Sequence, residues 1–390
     1  MKHTSEDRIA QFSNLLQSEL FPLLEAAVGP LGKQAKLLAA VVSLQPLAKW
    51  MIRSSRLGRR PCSRQSLATA FLAKAIYHLP TTRHLIQRLQ TDTQLRRLCG
   101  WDSAAQVPAE ATFSRAFAEF ASAGLPAQIH AALVQQWQQQ NIIEHIARDS
   151  TAIHARQRLP ADRAKKSRAA CAEKPPVPAP YKTAKGWHRR GRRGQKHQQK
   201  RQTAKQRGPR LQRQQHMNLA EMLADLPREC SIGAKKNSQG HPQFWRGFKL
   251  HWDVADGRIP ISCLLTGAAV HDSQAALPLM QMSAQRVRWQ CETMDAAYDA
   301  QLIRQQSQKL GHEALIQPNP SHARSASENA LSEADQQRFK KRTIVEQLNG
   351  RLKDEFGGRL IYYRGAQKIM AHLMFGVLAL TVDQLLRLAT

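Results

Sequence analysis

In the stretch "RTIVEQLNGRLK", residues 342–353, an arginine, a glutamate and a lysine fall on one side of what reads as an amphipathic helix. At about 100° per residue, Arg342, Glu346 and Lys353 lie within roughly 40° of one another, while Ile344, Val345, Leu348 and Leu352 gather on a different face. Such a helix can bury its apolar side and offer the charged row to a partner, although a solvated face with an Arg–Glu pair at i, i+4 shows the same spacing. Two further acids stand at informative places: Asp149 closes the apolar run "NIIEHIARDST", and Asp295 follows "RWQCETM". Three converging carboxylates repel one another unless cations lie between them, so the set implies a hard divalent metal with oxygen ligands and open water positions. Mg²⁺ is the expected ion, with Mn²⁺ as its substitute. Two such ions about 3.5–4 Å apart activate a water or a DNA 3′-hydroxyl on one side and stabilise the leaving oxygen on the other. That is phosphodiester hydrolysis and transesterification. Arg342, a planar fork, and Lys353, a point charge, suit phosphates beside those ions.

These residues do chemistry only if the fold brings them together. Residues 1–140 read as an all-α domain, with apolar residues at helical spacing through "IAQFSNLLQSELFPLLEAAV", "SLATAFLAKAIYHL" and "AQIHAALVQQWQQQ". Within it, "TTRHLIQRLQTDTQLRRLCG" reads as one basic helix ending at Gly100, and "VPAEATFSRAFAEFA" sets Thr112, Ser114 and Arg115 near a helix start. A DNA reader of the helix-turn-helix kind and a plain bundle with surface arginines both fit.

A first strand, residues 141–153, ends its apolar run on Asp149. Residues 154–240 read as a basic, disordered insert, and 241–368 as the rest of the same unit. There "FKLHWDVADGRIPISCLLT" gives a hairpin around "ADG", followed by a helix from "VHDSQAALPLM", a strand "RWQCETMDAAYD", a helix over 299–310, a strand "EALIQP" and the long helix that begins near Leu331. Residues 369–390 close the chain as an amphipathic helix. This order predicts a ribonuclease H-like α/β fold, a mixed sheet with helices preceded by the all-α domain. In it two strand ends and one packed helix carry Asp149, Asp295 and Glu346 to one edge.

The charge names the partner class. Lys and Arg number 58 against 29 Asp and Glu, leaving +29, which calls for a polyanion such as nucleic acid, with an anionic membrane as the lesser alternative. From His154 to His216 there are 20 Lys and Arg against Asp162 and Glu173, so this segment holds +18 of the total. "HRRGRRGQKHQQKR", with Arg189, Arg190, Arg192 and Arg193, is dense enough to bind phosphates by counterion release, and a solubilising spacer is the bland alternative. The N-terminus lacks a secretory h-region, and the apolar run near the C-terminus is interrupted by His372, Asp383, Gln384 and Arg387, so the expectation is a cytoplasmic, nucleoid-associated protein without a membrane span. The six cysteines show no C-x-x-C spacing, which argues against a disulfide framework or a zinc knuckle.

At these stretches the sequence resembles the bacterial insertion-sequence transposases of the DDE type. "ARDSTAI", "GFKLHWDVADGRIPISCLLTGAAVHDS", "TMDAAYD" and "FKKRTIVEQLNGRLK" follow one another as in that family, and the likeness covers most of the chain outside the basic insert. The resemblance implies Asp149, Asp295 and Glu346 as metal-binding catalytic acids. It also implies double-stranded DNA, both the element's terminal inverted repeats and the target, as substrate, and a homodimer assembled on that DNA. The family's signature of Tyr, two residues, Arg, three residues, Glu, six residues and Lys is carried here by Phe339, Arg342, Glu346 and Lys353. Phe339 departs from it and lacks the hydroxyl. Only 50 residues separate Asp295 from Glu346, leaving no room for the β-rich insertion of some relatives, so the hairpin or non-hairpin route of cleavage stays open. Asp299 competes with Asp295 in "MDAAYD" but reads as a helix cap, as does Asp272 in "VHDS". Two other classes share these features: a domesticated, inactive DNA-binding protein, and a nuclease of the same fold that cuts without strand transfer.

Overall fold

The computed structural model describes residues 5–44, 62–138, 142–157, 159, 209–236, 239–319, 331–359 and 361–389. Its organising element is β1 (Ile142–His154), which continues well past Asp149 because "STAIH" keeps pairing: Thr151 with Leu250 and Ile153 with Phe248. The first strand was expected to end its run at Asp149; instead that residue lies within the strand. β2 (Ser231–Lys236) and β3 (Pro242–Ala255) form a ribbon, and β3 turns through Asp256–Arg258 into β4 (Ile259–Gly267), the expected hairpin, with Gly257 at φ +73°. β5 (Arg288–Met294) runs parallel to β1, and β6 (Glu313–Ile316) parallel to β5. The sheet order is β4-β3-β1-β5-β6, with β2 extending the far half of β3. Gly247 sits where β3 changes partners, at φ +154°, and a Cβ there would stand 2.0 Å from the Ile153 carbonyl oxygen.

The helices before the sheet are α1 (Ser5–Leu15), α2 (Phe21–Val28), α3 (Lys33–Leu44), α4 (Arg64–Ile76), α5 (Thr82–Thr91), α6 (Thr93–Leu98), α7 (Glu110–Ala123) and α8 (Leu125–Gln138). The single basic helix expected over 81–100 is two helices, because Asp92 ends α5 and its side chain caps α6 by accepting from the Leu95 N–H at 3.0 Å. The insert expected to be disordered through residue 240 regains structure at α9 (Arg210–Gln214) and α10 (Leu219–Asp225), where Asn218 and Glu221 make a capping box, and then at β2.

α11 (Ser273–Ala284) and α12 (Gln301–Lys309) follow in the sheet unit. α13 (Glu333–Phe339) and α14 (Thr343–Glu355) flank a 3₁₀ turn at Lys340–Arg342, so the last long helix is broken at the signature. No strand beyond β6 occurs between Asp295 and Glu346 among the described residues.

α15 (Ala366–Leu388) is not the amphipathic terminal helix expected. It is buried nearly all round, as a helix apolar on every side must be. α1, α3, α4, α7, α8 and β4 all pack against it. Phe375 of α15 stacks at 6.0 Å from Phe71, which meets Phe117 at 4.7 Å. Gly376 allows the close crossing with α14, since a Cβ there would stand 2.6 Å from the Phe356 carbonyl oxygen. One continuous core therefore joins the N-terminal helices to the sheet. α15 is also long and apolar enough to cross a membrane, yet 89% of its most apolar window is buried inside the fold.

Candidate active site

Asp149 and Asp295 come level with each other where β5 stops. The last parallel pair is Arg148 with Met294, so Asp295 leaves the sheet level with Asp149, which continues in β1 opposite Trp252 of β3. Asp295 starts a 3₁₀ turn and accepts from the Ala297 N–H at 3.0 Å. α14 lies over β1 and β3 with Val345, Leu348 and Leu352 fully buried, which turns Glu346 toward solvent at 52% exposure. Arg342 joins the two sides: one of its terminal nitrogens bonds Glu346 Oε1 and the other lies 4.0 Å from Asp149 Oδ2. Asn349, one turn after Glu346, donates to Asp149 at 3.3 Å and accepts from the Trp252 indole at 3.1 Å.

Burial pushes the Asp149 carboxyl up to about 7, with the charges of Asp295 and Asp272 adding to the effect and the Ser150 N–H and Arg342 opposing it. Asp295 is also raised, by burial first and by Asp272 next, against the Ala297 N–H and Arg342. Tyr298 is fully buried among these acids; burial, then Asp272, Asp149 and Asp295, raise its phenol, and its hydroxyl has no hydrogen-bond partner among the described residues. Aspartates driven toward the neutral form first by burial and then by neighbouring carboxylates form a donor set short of positive charge. A guanidinium already occupies the space between Asp149 and Glu346. Oxygen donors with those needs fit a hard divalent cation.

Asp272 occupies the N-cap position of α11 but makes no capping bond. Its carboxylate takes the Lys249 ammonium at 2.9 Å, with His251 Nδ1 at 3.8 Å. Burial opposes its ionisation, but His251 and Lys249 prevail and hold it below the usual range. Asp299, the rival of Asp295, braces a turn by accepting from Arg304 at 3.1 Å and the Asn319 N–H at 2.8 Å. Lys353 is half-buried, and burial, then Lys235 and Arg359, lower its ammonium. His154 is lowered by burial and then by Lys353 and Lys235. Arg342 also lies over the Phe339 ring at 5.9 Å, so phenylalanine keeps the aromatic face at that signature position. Arg189, Arg190, Arg192 and Arg193 lie outside the described residues.

Behind Asp149, on the opposite face of β1, Arg148 is fully buried and binds Asp253 through two nitrogens at 2.8 and 2.9 Å and Glu292 at 2.8 Å. Ser283 donates to Asp253 at 2.6 Å and Ser307 to Glu292. This network ties β1, β3 and β5 in register directly under the acids. Sequence reasoning missed it, together with Asn349 and Lys249; an arginine inside an apolar run beside an aspartate was the available signal. Among the described residues the group of carboxylate and histidine ligand atoms that lie within 4.8 Å of one another is not Asp149, Asp295 and Glu346 but Glu144, His145 and Asp256, at the start of β1. Lys341 already sits on it, 3.3 Å from Glu144 and 3.0 Å from His145.

Compared with known families, residues 142–382 match the family described as transposase DDE domain, and residues 24–119 match a second family described as a transposase domain. No curated protein and no solved structure matches the chain significantly.

Proposed function

Because the chain belongs to the transposase DDE domain family, we propose that it binds the ends of a mobile element and performs metal-dependent strand cleavage and strand transfer at Asp149, Asp295 and Glu346. The family is one of DNA-cleaving enzymes, and the finer chemistry is our reading of this site. The observation that supports it best is the end of β5: Asp295 leaves the sheet beside Asp149, and Arg342 links that pair to Glu346 on the helix laid across β1. Divalent ions, Mg²⁺ by preference and two in number, would supply an activated water or 3′-hydroxyl and a counter-charge for the leaving oxygen. The chain's own residues do the rest. Asp149, Asp295 and Glu346 hold the ions, and Asn349 fixes the orientation of Asp149. Arg342 turns from Glu346 to a phosphate when metal and DNA arrive, and Lys353 holds a second phosphate. The arginines of the basic segment, Arg189, Arg190, Arg192 and Arg193, grip the duplex without reading it. The helical N-terminal region contributes end binding, and the active assembly is a homodimer on DNA.

The test is a strand-transfer assay with matched element ends. Asp149→Ala, Asp295→Ala and Glu346→Ala are each expected to abolish cutting and joining while end binding persists. A variant that retains more than about a tenth of the parental rate, roughly 1.4 kcal/mol of barrier, removes that residue from the site. Cutting without joining would identify a nuclease, and binding without cutting an inactive relic.

A further inference from the structure

We propose that the β2–β3 ribbon is a groove-reading element that enters the major groove of the element end some distance inside the reacting phosphate. This rests on the DNA end being the substrate. In the ribbon, Ile232 pairs with Arg246 and Ala234 with Phe244, so these four side chains share one face. All four are exposed, Phe244 at 69% and Ile232 at 52%, an unusual place for two large apolar residues. The other face is fastened down. Trp245 is buried against Gly233, where a Cβ would stand 2.4 Å from its ring, and its indole donates to the Phe248 carbonyl at 3.2 Å. At the root, Ser231 Oγ accepts from the Ala269 N–H at 2.9 Å. The ribbon thus holds Phe244 and Ile232 outward on a braced support.

Charge selects the occupant. Residues 231–247 contain Lys235, Lys236, His241 and Arg246 and no acid. A second copy of a chain at +29 would be repelled by this ribbon; a polyanion is drawn to it. The cations also form a track. Arg342 stands at the acids, Lys353 comes next along α14, and Lys353 lies within electrostatic reach of Lys235, which pairs with Gln243 toward the tip of the ribbon.

β3 runs from Trp252, opposite Asp149, to Phe244, eight residues that span about 27 Å at about 3.4 Å each. At about 3.4 Å per base pair that is roughly eight base pairs of duplex. A two-stranded ribbon fits the major groove, and a phenylalanine suits a thymine methyl there.

The probe is a duplex carrying the terminal repeat read from the DNA that flanks the gene, compared with a scrambled duplex. With the parental protein, methylation protection of guanine N7 atoms, which face the major groove, should centre roughly eight base pairs from the cleaved phosphate. Phe244→Ala with Ile232→Ser should erase that protection and lower the end-over-scrambled preference about ten-fold, with no change in salt dependence because no charge is lost. Lys235→Ala with Arg246→Ala should instead flatten the salt slope by about two. All four positions are exposed, so the variants should melt with the parent. Unchanged protection and preference in the Phe244 and Ile232 variant, with parental preference intact, overturn the ribbon's role alone. Altered sedimentation of that variant with unchanged protection also overturns it and makes the face a contact between copies. No end preference in the parent would end the functional reading and this one together.

Discussion

A carboxyl whose proton affinity is raised by folding makes the protein sensitive to base. Asp149 is pushed up to about 7 in the fold and titrates near 3.8 when free, so between those values the folded state binds a proton that the unfolded state has lost. Stability therefore falls as pH rises through that window, by at most about 1.4 kcal/mol for each pH unit crossed. The buried neutral histidines His130, His251 and His372 pull the other way as pH falls below about 6.5, so the Asp149 contribution is read as a difference: in the metal-free protein the melting temperature of the parent relative to Asp149→Asn should fall between pH 5 and pH 8. Mg²⁺ should raise the parent's melting temperature at pH 8. A parent-minus-variant difference that does not change with pH in chelator would refute the buried-acid account.

Arg342 yields a companion result. It supplies the positive charge beside Asp149 and Glu346, so Arg342→Ala should bind Mn²⁺ more tightly than the parent, measured by titration calorimetry, while strand transfer slows. Arg342→Lys should also be slow, since an ammonium cannot reproduce a planar two-pronged grip. Equal Mn²⁺ affinity in parent and alanine variant would show that the guanidinium and the ion do not compete. The three acids stand out in the chain because Asp149 and Asp295 follow apolar runs and Glu346 shares a helix face with Arg342 and Lys353. Asn349 does not, because its role follows from Trp252 and Asp149 being opposite each other across two strands, a relation between residues far apart in sequence.

Elements are legible where their signal is local and obscure where it depends on a partner. The "ADG" turn and the strands through Met294 and Ile316 carry their own periodicity and turn chemistry, and they form where expected. β1 runs past its apolar signal because "STAIH" alternates in a way that only its pairing with β3 makes decisive. Two basic helices look like one because Asp92 resembles an ordinary surface acid until its side chain is seen capping α6. The network under β1 belongs to this scale, since Arg148 is what three strands share. Arg148→Met leaves Asp253 and Glu292 buried without a counter-charge and should destabilise the protein by about 3–5 kcal/mol. Urea unfolding would measure it, and a loss under about 1 kcal/mol would mean that the acids are satisfied without the arginine.

At the scale of the molecule, the division into a helical domain, a sheet and a terminal helix misses the packing. α15 looks like an appendage because four polar residues interrupt its apolar run; three of them are satisfied inside the fold, where Arg351 of α14 bonds Asp383 at 2.6 Å and Gln384 at 3.1 Å and His372 meets the Gly357 carbonyl at 3.0 Å, and Arg387 bonds Asp383 at 2.8 Å. Removing residues 366–389 should abolish cooperative unfolding of the N-terminal helices as well as the sheet, visible as loss of near-ultraviolet circular dichroism. A sharp transition in the truncated chain would contradict the shared core. Deleting residues 160–208, which spares α9 and α10, should leave the melting temperature close to parental and weaken binding to all duplexes alike with a flatter salt slope. An unchanged slope would take Arg189, Arg190, Arg192 and Arg193 off the DNA.

The same central helix governs how the chain reaches this state. α15 closes contacts with helices more than two hundred residues earlier, across the whole of the sheet. Loop closure over such a span must precede the gain from burial, so this topology folds slowly. The helices that come first in the chain are then among the last to acquire native packing, and pulsed hydrogen exchange should find α4 and α7 protected only after β1, β3 and β5.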